Sequence, residues 1–248
     1  MAIHTLNNNL PKKTVNRSYI VFDGMDLTGK TGCIEAINSH LVEKRYNVCL
    51  TKGFGGGVLG KHIRQEFIPT VFNGIALNKH SSTYEALAAG LANIDAYETD
   101  VLPSLKYGKV VISDRALSCF YAYQVYANTD KQISFITDTE KLALEVFNGL
   151  FSGMNVHPGL YLFFKCSDEN YTKRMSKRKE SNMLDHRGLD YMHRVTDGYK
   201  KFSTLYGSFA KAPEIYWIDA DRSQEEVIQH VKSIVDTYFE KHFIVPSF

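Results

Sequence analysis

The sequence predicts an α/β fold, a three-layer doubly wound sheet of about five parallel strands, and three observations support it. Short apolar runs are spread along the chain, and the apolar residues within each run are continuous instead of alternating, which is typical of strands buried on both faces of a parallel sheet. Longer stretches of helical character separate these runs, so that strands and helices alternate. The composition, with 44% hydrophobic and 23% charged residues, is typical of a chain that folds around a buried core.

The predicted elements follow one another along a single domain. Strands are expected at residues 19–22, 48–50, 110–112, 160–164 and 215–218. Helices are expected at residues 30–45, 84–105, 190–206 and 223–239. The last helix has a capping box at its start, because Ser223 is followed three residues later by Glu226. We therefore expect a flexible N-terminal extension over residues 1–17 and one domain over residues 18–248.

Charge and cysteine content exclude several classes of protein. The 248 residues include 29 Lys and Arg against 27 Asp and Glu, a net charge of +2, so a nucleic-acid partner is not expected. No run approaches the roughly 18 to 20 apolar residues of a membrane span, and the Asn- and Lys-rich N-terminus lacks the apolar region of a secretory signal. The four cysteines are scattered without a Cys-x-x-Cys pair, as in a reducing compartment. We expect a soluble, cytoplasmic protein with no membrane partner.

A phosphate-binding loop follows the first predicted strand, where the chain matches G-x-x-x-x-G-K-[ST]. Glycines allow a tight turn in which backbone N–H groups point inward, and the helix that starts near Lys30 adds the positive end of its dipole. Lys30 is expected to bridge the β- and γ-phosphates of a nucleoside triphosphate, and the Thr31 hydroxyl to ligate Mg²⁺. A glycine-rich turn that binds nothing is the alternative, but such a turn has no use for the Lys-Thr pair. The predicted ATP-binding residues are Gly24, Met25, Asp26, Leu27, Thr28, Gly29, Lys30, Thr31 and Gly32.

Three further features concern a second substrate. Asp26 places a carboxylate inside the loop, which is useful if a substrate hydroxyl lies beside it. Asp114 and Arg115 follow the third predicted strand, where an aspartate can hold Mg²⁺ and an arginine can clamp an acceptor phosphate. A basic stretch includes Arg174 and Arg178, four residues apart, as in a lid that closes over a transferred phosphoryl group. The alternatives are a solvated turn aspartate, a surface ion pair and a solvated charge run.

Together these motifs resemble those of the thymidylate kinase family, within the wider group of nucleoside monophosphate kinases. The family's opening, F-E-G-x-D-G-x-G-K-[ST], is similar to residues 22–31, and its D-R-Y-x-x-S-x-x-A-Y-Q motif is similar to residues 114–124. Weaker similarities lie at residues 51–57 and 191–199. The resemblance extends over about residues 18–239. It implies a P-loop NTPase-type fold with a basic lid at about residues 174–188, Mg²⁺ with ATP as donor, a deoxynucleoside monophosphate as acceptor, and a homodimer.

The resemblance also implies individual roles. Asp26 would accept a hydrogen bond from the 3′-hydroxyl or steer the acceptor phosphate, and Tyr123 would press against the 2′ position of the sugar. Arg115 would hold the acceptor phosphate. Because the loop lacks the arginine that some family members carry there, the lid would supply it. The candidate catalytic residues are Lys30, Arg115, Arg174 and Arg178. The candidate substrate contacts are Asp26, Phe54, Arg64, Ala89, Asn93, Arg115, Phe120 and Tyr123, and the candidate metal ligands are Thr31 and Asp114.

The sequence departs from the family at the positions of the base pocket. Ala89 stands where the family has a phenylalanine that stacks on thymine, and Asn93 stands where it has an arginine. Cys119 replaces a serine, and Phe120 occupies a polar base-reading position. One hypothesis is a widened pocket that accepts a modified pyrimidine or a purine. The other is that Phe120 or a neighbouring tyrosine refills the space and that dTMP still binds.

The predicted activity is transfer of the ATP γ-phosphate to dTMP or to a related or modified deoxynucleoside monophosphate. A deoxynucleoside kinase of the same fold is one alternative. Its reaction requires a general base after the second strand, and residues 52–57 contain no carboxylate. A nucleotide-binding module without turnover is another alternative, since Ala89 and Asn93 could mark a decayed acceptor site. The presence of Lys30, Thr31 and Arg115 argues against it.

Overall fold

A parallel sheet forms the centre of the structure, a computed structural model that describes residues 13–67, 81–128, 138–178, 188–208 and 211–246. The strands are β1 (Thr14–Gly24), β2 (Val48–Lys52), β3 (Val110–Asp114), β4 (Val156–Lys165) and β5 (Glu214–Asp219). They lie in the order β2-β3-β1-β4-β5, and every neighbouring pair is parallel. This five-stranded parallel sheet confirms the predicted fold class.

Helices connect the strands. They are α1 (Lys30–Glu43), α2 (Val58–His62), α3 (Ser81–Ala96), α4 (Leu102–Lys106), α5 (Leu117–Phe120), α6 (Asp138–Gly153), α7 (Asp168–Ser176), α8 (Gly188–Ser203) and α9 (Gln224–Lys241). The π-helical turns Ile63–Phe67, Tyr97–Val101 and Tyr121–Tyr126 continue α2, α3 and α5, and the 3₁₀ turn Thr204–Ser208 follows α8. None of the helices within the described ranges is long and apolar enough to cross a membrane.

Strand β1 explains why the apolar runs do not alternate. Tyr19 and Val21 belong to a core cluster on one face of the sheet, together with residues of α3, α5, α6 and α8. Ile20 and Phe22 belong to a second cluster on the other face, together with residues of α1 and α9. Both faces of the strand are therefore buried against helices, which gives the predicted three layers.

The N-terminal boundary differs from its prediction. Strand β1 begins at Thr14 and pairs with β4, with Thr14 opposite Val156, before a register shift between Asn16 and Ile20. Residues 14–17 therefore belong to the sheet, and the predicted boundary at residue 17 lies too late in the chain. Residues 1–12 lie outside the described residues.

The predicted helices are present with shifted ends. The segment predicted as one helix over residues 84–105 contains α3, a π-helical turn and α4. The capping box is confirmed, because the Ser223 hydroxyl accepts a hydrogen bond from the Glu226 N–H at 3.2 Å, and the Glu226 carboxylate accepts one from the Ser223 N–H at 2.9 Å. Helix α6 was not predicted. Of the basic stretch, residues up to 176 belong to α7, and residues 179–187 of the predicted lid lie outside the described residues.

Candidate active site

The predicted site residues of β1 and β3 meet at the carboxyl edge of the sheet. Phe22 of β1 is in register with Asp114 of β3, and the Arg115 N–H donates to the Phe22 carbonyl at 2.8 Å. The phosphate loop follows β1 directly. Ligands of open parallel sheets bind at this edge, so the topology brings the predicted donor and acceptor residues together.

The phosphate loop depends on residues with positive φ angles. Gly24 has φ +114°, Leu27 +62° and Gly29 +78°. At Gly24 a side chain would also overlap the backbone of Phe164 in β4. Gly29 is the N-cap of α1, so the loop ends where the helix presents its free N–H groups and its dipole. The predicted strand–loop–helix context of the motif is thus confirmed.

Lys30 folds back over the loop. Its ammonium group donates hydrogen bonds to the Met25 carbonyl and, at 3.3 Å, to the Thr28 hydroxyl, which itself donates to Met25 at 2.9 Å. Burial, with repulsion from Arg115, lowers the pKa of Lys30 to about 8. The folded chain thus holds a buried cation at the mouth of the loop, where an anion would stabilise it.

Two side chains hold the outer side of the loop. Gln224, the first residue of α9, donates to the Gly29 carbonyl at 3.2 Å. Arg174 of α7 donates to the Leu27 carbonyl at 3.0 Å and to the Ala220 carbonyl at 2.6 Å. The structure thus places one predicted lid arginine against the loop. Gln224 was missed, because only the tertiary structure brings the start of α9 beside residues nearly 200 positions earlier.

Arg115 joins the two halves of the site. Its backbone has φ +68°, an uncommon conformation for a residue with a side chain. The guanidinium donates to the Gly24 carbonyl at 3.3 Å and to Asp26, and it lies 5.2 Å from the ring centroid of Tyr123. An arginine predicted to hold the acceptor is therefore in contact with the loop predicted to hold the donor.

Asp26 is held as a carboxylate. Burial by itself would raise the pKa of Asp26, but the charges of Arg115 and Lys30 outweigh burial and lower it below its usual range. A hydrogen bond from the Tyr123 hydroxyl at 3.2 Å and the charge of Arg178 contribute in the same direction. Asp26 is thus an ionised acceptor for hydrogen bonds at neutral pH.

Asp23 is a buried site residue that the sequence analysis did not single out. It lies at the end of β1 and pairs with Arg115 at 3.2 Å. It also accepts hydrogen bonds from the Ser118 hydroxyl at 2.6 Å and the Tyr199 hydroxyl at 2.5 Å. Burial raises the pKa of Asp23 despite the attraction of Arg115. Because Asp23 stands at the glutamate position of the family's F-E-G, the motif could have identified it as a site residue. Nothing in the sequence links Asp23 to Tyr199.

The predicted metal ligands lie near the loop. Thr31 is exposed in the first turn of α1, and Asp114 is partly buried at the end of β3. The charge of Asp114 acts on Lys30, where it opposes the lowering of the pKa by burial and Arg115. In the part of the chain that the structure describes, three or more His, Cys, Asp or Glu residues do not gather into a metal site. A metal that arrives with a nucleotide requires only one or two protein ligands.

The glycine-rich turn after β2 brings Phe54 and Arg64 to the rim of the site. The Gly53 N–H donates to the carbonyls of Asp114 and Arg115, both at 3.1 Å, so this turn contacts the Asp-Arg turn directly. The exposed Arg64 donates to the Phe54 carbonyl at 2.9 Å. Phe54 therefore lies next to a residue that contacts the Asp-Arg turn, and Arg64, from the π-helical turn after α2, contacts Phe54.

The candidate base-pocket residues lie in the core. Ala89 is 4% exposed, and the Asn93 amide donates to the Ala89 carbonyl at 2.8 Å. Phe120 is only 1% exposed, and its ring stacks on Phe147 with centroids 6.4 Å apart. Phe120 therefore packs inside the protein and does not form an open wall.

A parallel sheet with a phosphate loop after β1 and an arginine from β3 against that loop defines a P-loop nucleotide-binding protein. The sequence model of the family described as thymidylate kinase matches residues 22–231. The chain belongs to the thymidylate kinase family and is therefore a kinase, as the sequence resemblance predicted.

Individual relatives agree with this assignment. The chain is 30% identical to a thymidylate kinase of Mesoplasma florum over 219 residues, which is 88% of this chain and 94% of that protein. It is also 30% identical to a thymidylate kinase of Ruthia magnifica over 217 residues, 88% of this chain and 96% of the relative. The crystal structure of a thymidylate kinase from Ehrlichia chaffeensis has the same fold, with a TM-score of 0.58 at 20% identity, over 88% of this chain and 97% of that one.

Proposed function

We propose that the protein transfers the γ-phosphate of ATP to the 5′-phosphate of dTMP and releases ADP and dTDP. One observation carries the proposal. The guanidinium of Arg115 donates to the Gly24 carbonyl of the phosphate loop and to Asp26 within it. A phosphate held by Arg115 would therefore lie beside a phosphate held by the loop, which is the arrangement that direct transfer requires.

The donor half would hold the triphosphate of ATP. The N–H groups of residues 24–32 and the dipole of α1 supply an anion site, and Lys30 adds a cation. Its lowered pKa, caused by burial and Arg115, supports this role, because a buried ammonium gains most from an incoming anion. Arg174 reaches the loop through the Leu27 carbonyl, and with Arg178 it would neutralise charge on the transferred group.

Mg²⁺ fits the donor set of the site. Thr31 offers a hydroxyl and Asp114 a carboxylate, which are oxygen ligands of the kind that Mg²⁺ prefers. The ion would enter with ATP, since phosphate oxygens complete its coordination. When bound it neutralises charge on the β- and γ-phosphates.

The acceptor half would hold the monophosphate. Arg115 would bind its phosphate, and the ionised Asp26 would accept a hydrogen bond from the sugar. Tyr123, whose hydroxyl donates to Asp26 at 3.2 Å, would lie against the deoxyribose and leave no room for a 2′-hydroxyl. Phe54 and Arg64 would contact the nucleotide from the rim, where a hydrogen bond joins them.

Burial at Ala89 supports dTMP over a bulkier base. Ala89 and Phe120 belong to the same core cluster, and neither is more than 4% exposed. Phe120, the ring that the refilled-pocket hypothesis invokes, is therefore packed in the same cluster as Ala89. This favours the hypothesis of a refilled pocket, with Asn93 nearby as a polar contact.

Catalysis would rest on positioning and charge neutralisation. The acceptor phosphate is already anionic at neutral pH, so no side chain has to remove a proton from it. The aligned phosphates would react in line while Lys30, Arg115 and the arginines of α7 and its C-terminal end offset the charge of the transition state. A nucleoside kinase would require a free carboxylate near β2. Asp95 and Asp100 lie there and anchor the glycine-rich turn through hydrogen bonds from the N–H groups of Gly60 and Gly57, so the assay with thymidine decides between the two reactions.

A substrate panel tests the proposal. The chain is incubated with ATP, MgCl₂ and either dTMP, dUMP, dCMP, dAMP, dGMP or thymidine, while ADP release and nucleotide products are quantified. We expect dTDP as the main product and no phosphorylation of thymidine. Faster turnover of dAMP or dGMP, whose bases are bulkier than thymine, would support the widened pocket, and phosphorylation of thymidine would support the nucleoside kinase. If the protein binds ATP but releases no ADP whichever acceptor is added, it is a non-catalytic nucleotide-binding module.

We also propose that the protein acts as a homodimer. Apolar side chains on α2, its π-helical turn and α3 form one exposed face, each between 40% and 47% exposed: Leu59, Phe67, Tyr84, Leu87 and Leu91. Exposed apolar clusters of this kind mark interaction sites, and a second copy of the chain would cover this one. Light scattering coupled to size exclusion tests this. Leu87→Glu should convert the dimer to a monomer, whereas the control Val42→Glu, an exposed residue of α1, should not. A monomeric wild type would contradict the proposal.

A cytoplasmic location is part of the proposal. Cys33, Cys49, Cys119 and Cys166 are all free thiols in the structure, as expected in a reducing compartment. Fractionation of expressing cells, with detection of the native chain, measures the location directly.

A further inference from the structure

Asp23 is a buried carboxylate whose hydrogen bonds converge from different elements. One oxygen accepts from the Gly24 N–H at 2.9 Å and from the Tyr199 hydroxyl at 2.5 Å. The same oxygen accepts from Arg115 at 3.2 Å. The other oxygen accepts from the Ser118 hydroxyl at 2.6 Å. A buried carboxylate with so many donors is held in one place, because moving it would leave several buried groups unsatisfied.

Arg115 contacts two carboxylates that differ in burial. Nη1 faces Asp23, which is fully buried, whereas Nη2 faces Asp26, which is 19% exposed and lies on the loop. A phosphate that approaches Arg115 from the open side competes with Asp26 for the same edge of the guanidinium. Asp23 cannot be displaced in this way, since the approach to it is filled by protein.

We propose that Asp23 and Tyr199 are positioning residues that hold the guanidinium of Arg115 toward the acceptor phosphate, while Asp26 is the partner that exchanges for that phosphate. This inference rests on the proposed function. Asp23 fixes one edge of Arg115, and the Tyr199 hydroxyl fixes Asp23 and also accepts a hydrogen bond from Arg115 at 3.3 Å. The strained φ of +68° at Arg115 persists because these contacts determine where the side chain lies.

The role of the Tyr199 hydroxyl can be separated from that of its ring. The ring packs against Phe163, with centroids 5.0 Å apart, and against Tyr123, at 6.4 Å. Tyr199→Phe keeps this packing and removes only the hydroxyl that contacts Asp23 and Arg115. The substitution therefore tests positioning with little change to the core.

The experiment compares Tyr199→Phe with Tyr206→Phe. Tyr206 is a matched control, because it is also buried and its hydroxyl shares a hydrogen bond with that of Tyr161 at 2.8 Å. For Tyr199→Phe we expect kcat/KM for dTMP to fall about 10- to 100-fold, with the KM for ATP within about twofold of wild type. Calorimetry should show dTMP binding weakened about tenfold, as expected for a lost contact to a charged group. Tyr206→Phe should lose similar thermal stability and keep wild-type kinetics.

Asp23 supplies a second pair of variants. Asp23→Asn keeps the shape of the side chain and removes its charge, so it should lower kcat/KM for dTMP more than Tyr199→Phe does. Asp23→Glu restores the carboxylate and should recover most of the activity. If the role of Asp23 were purely structural, Asp23→Asn and Asp23→Glu would differ in stability but not in kcat/KM for dTMP.

The outcomes are distinct. An active wild type with unchanged dTMP kinetics and binding in Tyr199→Phe, or in Asp23→Asn if the tyrosine variant does not fold, would overturn this inference alone. A loss of ATP affinity equal to the loss of dTMP affinity would also overturn it. A wild type that neither binds nor phosphorylates dTMP would overturn the proposed function and this inference with it.

Discussion

The donor half and the acceptor half of the site are built in different ways. The donor half is formed by the consecutive residues 24–31, whose backbone turns through positive φ angles into the start of α1. The acceptor half is formed by side chains from β1, β3, α5 and α8, which meet around Arg115. When a site is built from backbone groups, the loss of one side chain should impair its chemistry and leave the fold stable. When a site is built from a buried network of side chains, the loss of one should impair both the chemistry and the stability of the fold. Substitutions in the two halves should therefore differ in their effect on stability.

The largest expected effect is on turnover, and it should be similar in both halves. Lys30→Ala and Arg115→Ala should each lower kcat at least ~10²-fold, a loss of a few kcal/mol of transition-state stabilisation. Steady-state kinetics with each substrate varied should show that Lys30→Ala raises the KM for ATP and Arg115→Ala the KM for dTMP. Turnover within tenfold of wild type in both variants would contradict these roles.

Stability should separate the two halves. Arg115→Ala leaves the fully buried Asp23 without its cationic partner, so we expect a loss of about 3 kcal/mol in the free energy of unfolding. Urea denaturation without nucleotide measures this loss. Arg64→Ala is the matched control, since this arginine is exposed and its removal leaves no buried charge. A loss in Arg115→Ala no greater than in the control would contradict the description of the acceptor half as a coupled network.

Lys30→Met should raise the free energy of unfolding, whereas Arg115→Ala should lower it. Folding lowers the pKa of Lys30 to about 8, mainly because the side chain is buried. The charged form of Lys30 is therefore less favourable in the folded chain than in the unfolded chain. Because Lys30 is charged at pH 7, this difference lowers the free energy of unfolding at that pH. Removal of the charge should increase the free energy of unfolding by about 1 to 3 kcal/mol while abolishing turnover. The Met25 carbonyl keeps its hydrogen bond from Thr28 in this variant. Destabilisation of Lys30→Met in the same urea experiment would refute the expected contrast.

The smallest effect is expected from the support of the donor loop. Gln224→Ala removes an exposed hydrogen bond to the Gly29 carbonyl, a contact of about 0.5 to 1.5 kcal/mol, and should raise the KM for ATP about two- to fivefold. Glu225→Ala, at the next position of α9, which is also exposed, is the control and should not change this KM. If Gln224→Ala raised the KM for dTMP instead of the KM for ATP, Gln224 would support the acceptor half, and this prediction would be wrong.

The donor half could be predicted almost completely from the sequence. The motif, the preceding strand and the following helix lie within residues 14–43, and glycine and lysine at fixed spacing specify the turn locally. Helix α6 could also have been predicted, because Ala143, Phe147 and Leu150 follow a helical spacing. The end of the predicted extension could not, because residues 14–17 become a strand only by pairing with β4.

The acceptor half could be predicted only in part. Asp114, Arg115 and Tyr123 follow one motif, and in the structure they lie near the loop. The burial of Phe120 could not be predicted, since whether its ring faces a pocket or the core depends on Phe147 of α6, which comes later in the chain. Asp23 and Tyr199 lie 176 positions apart, and no local pattern links them.

By itself, the amino-acid sequence determined the alternating α/β architecture, the family and the phosphate loop, because each depends on residues close together in the chain. Only the tertiary structure decided how Arg115 is held, which carboxylate is buried beside it and that Phe120 packs in the core. These depend on distant segments that pack at the carboxyl edge of one sheet, where burial sets the charge and the hydrogen-bond partners of each group.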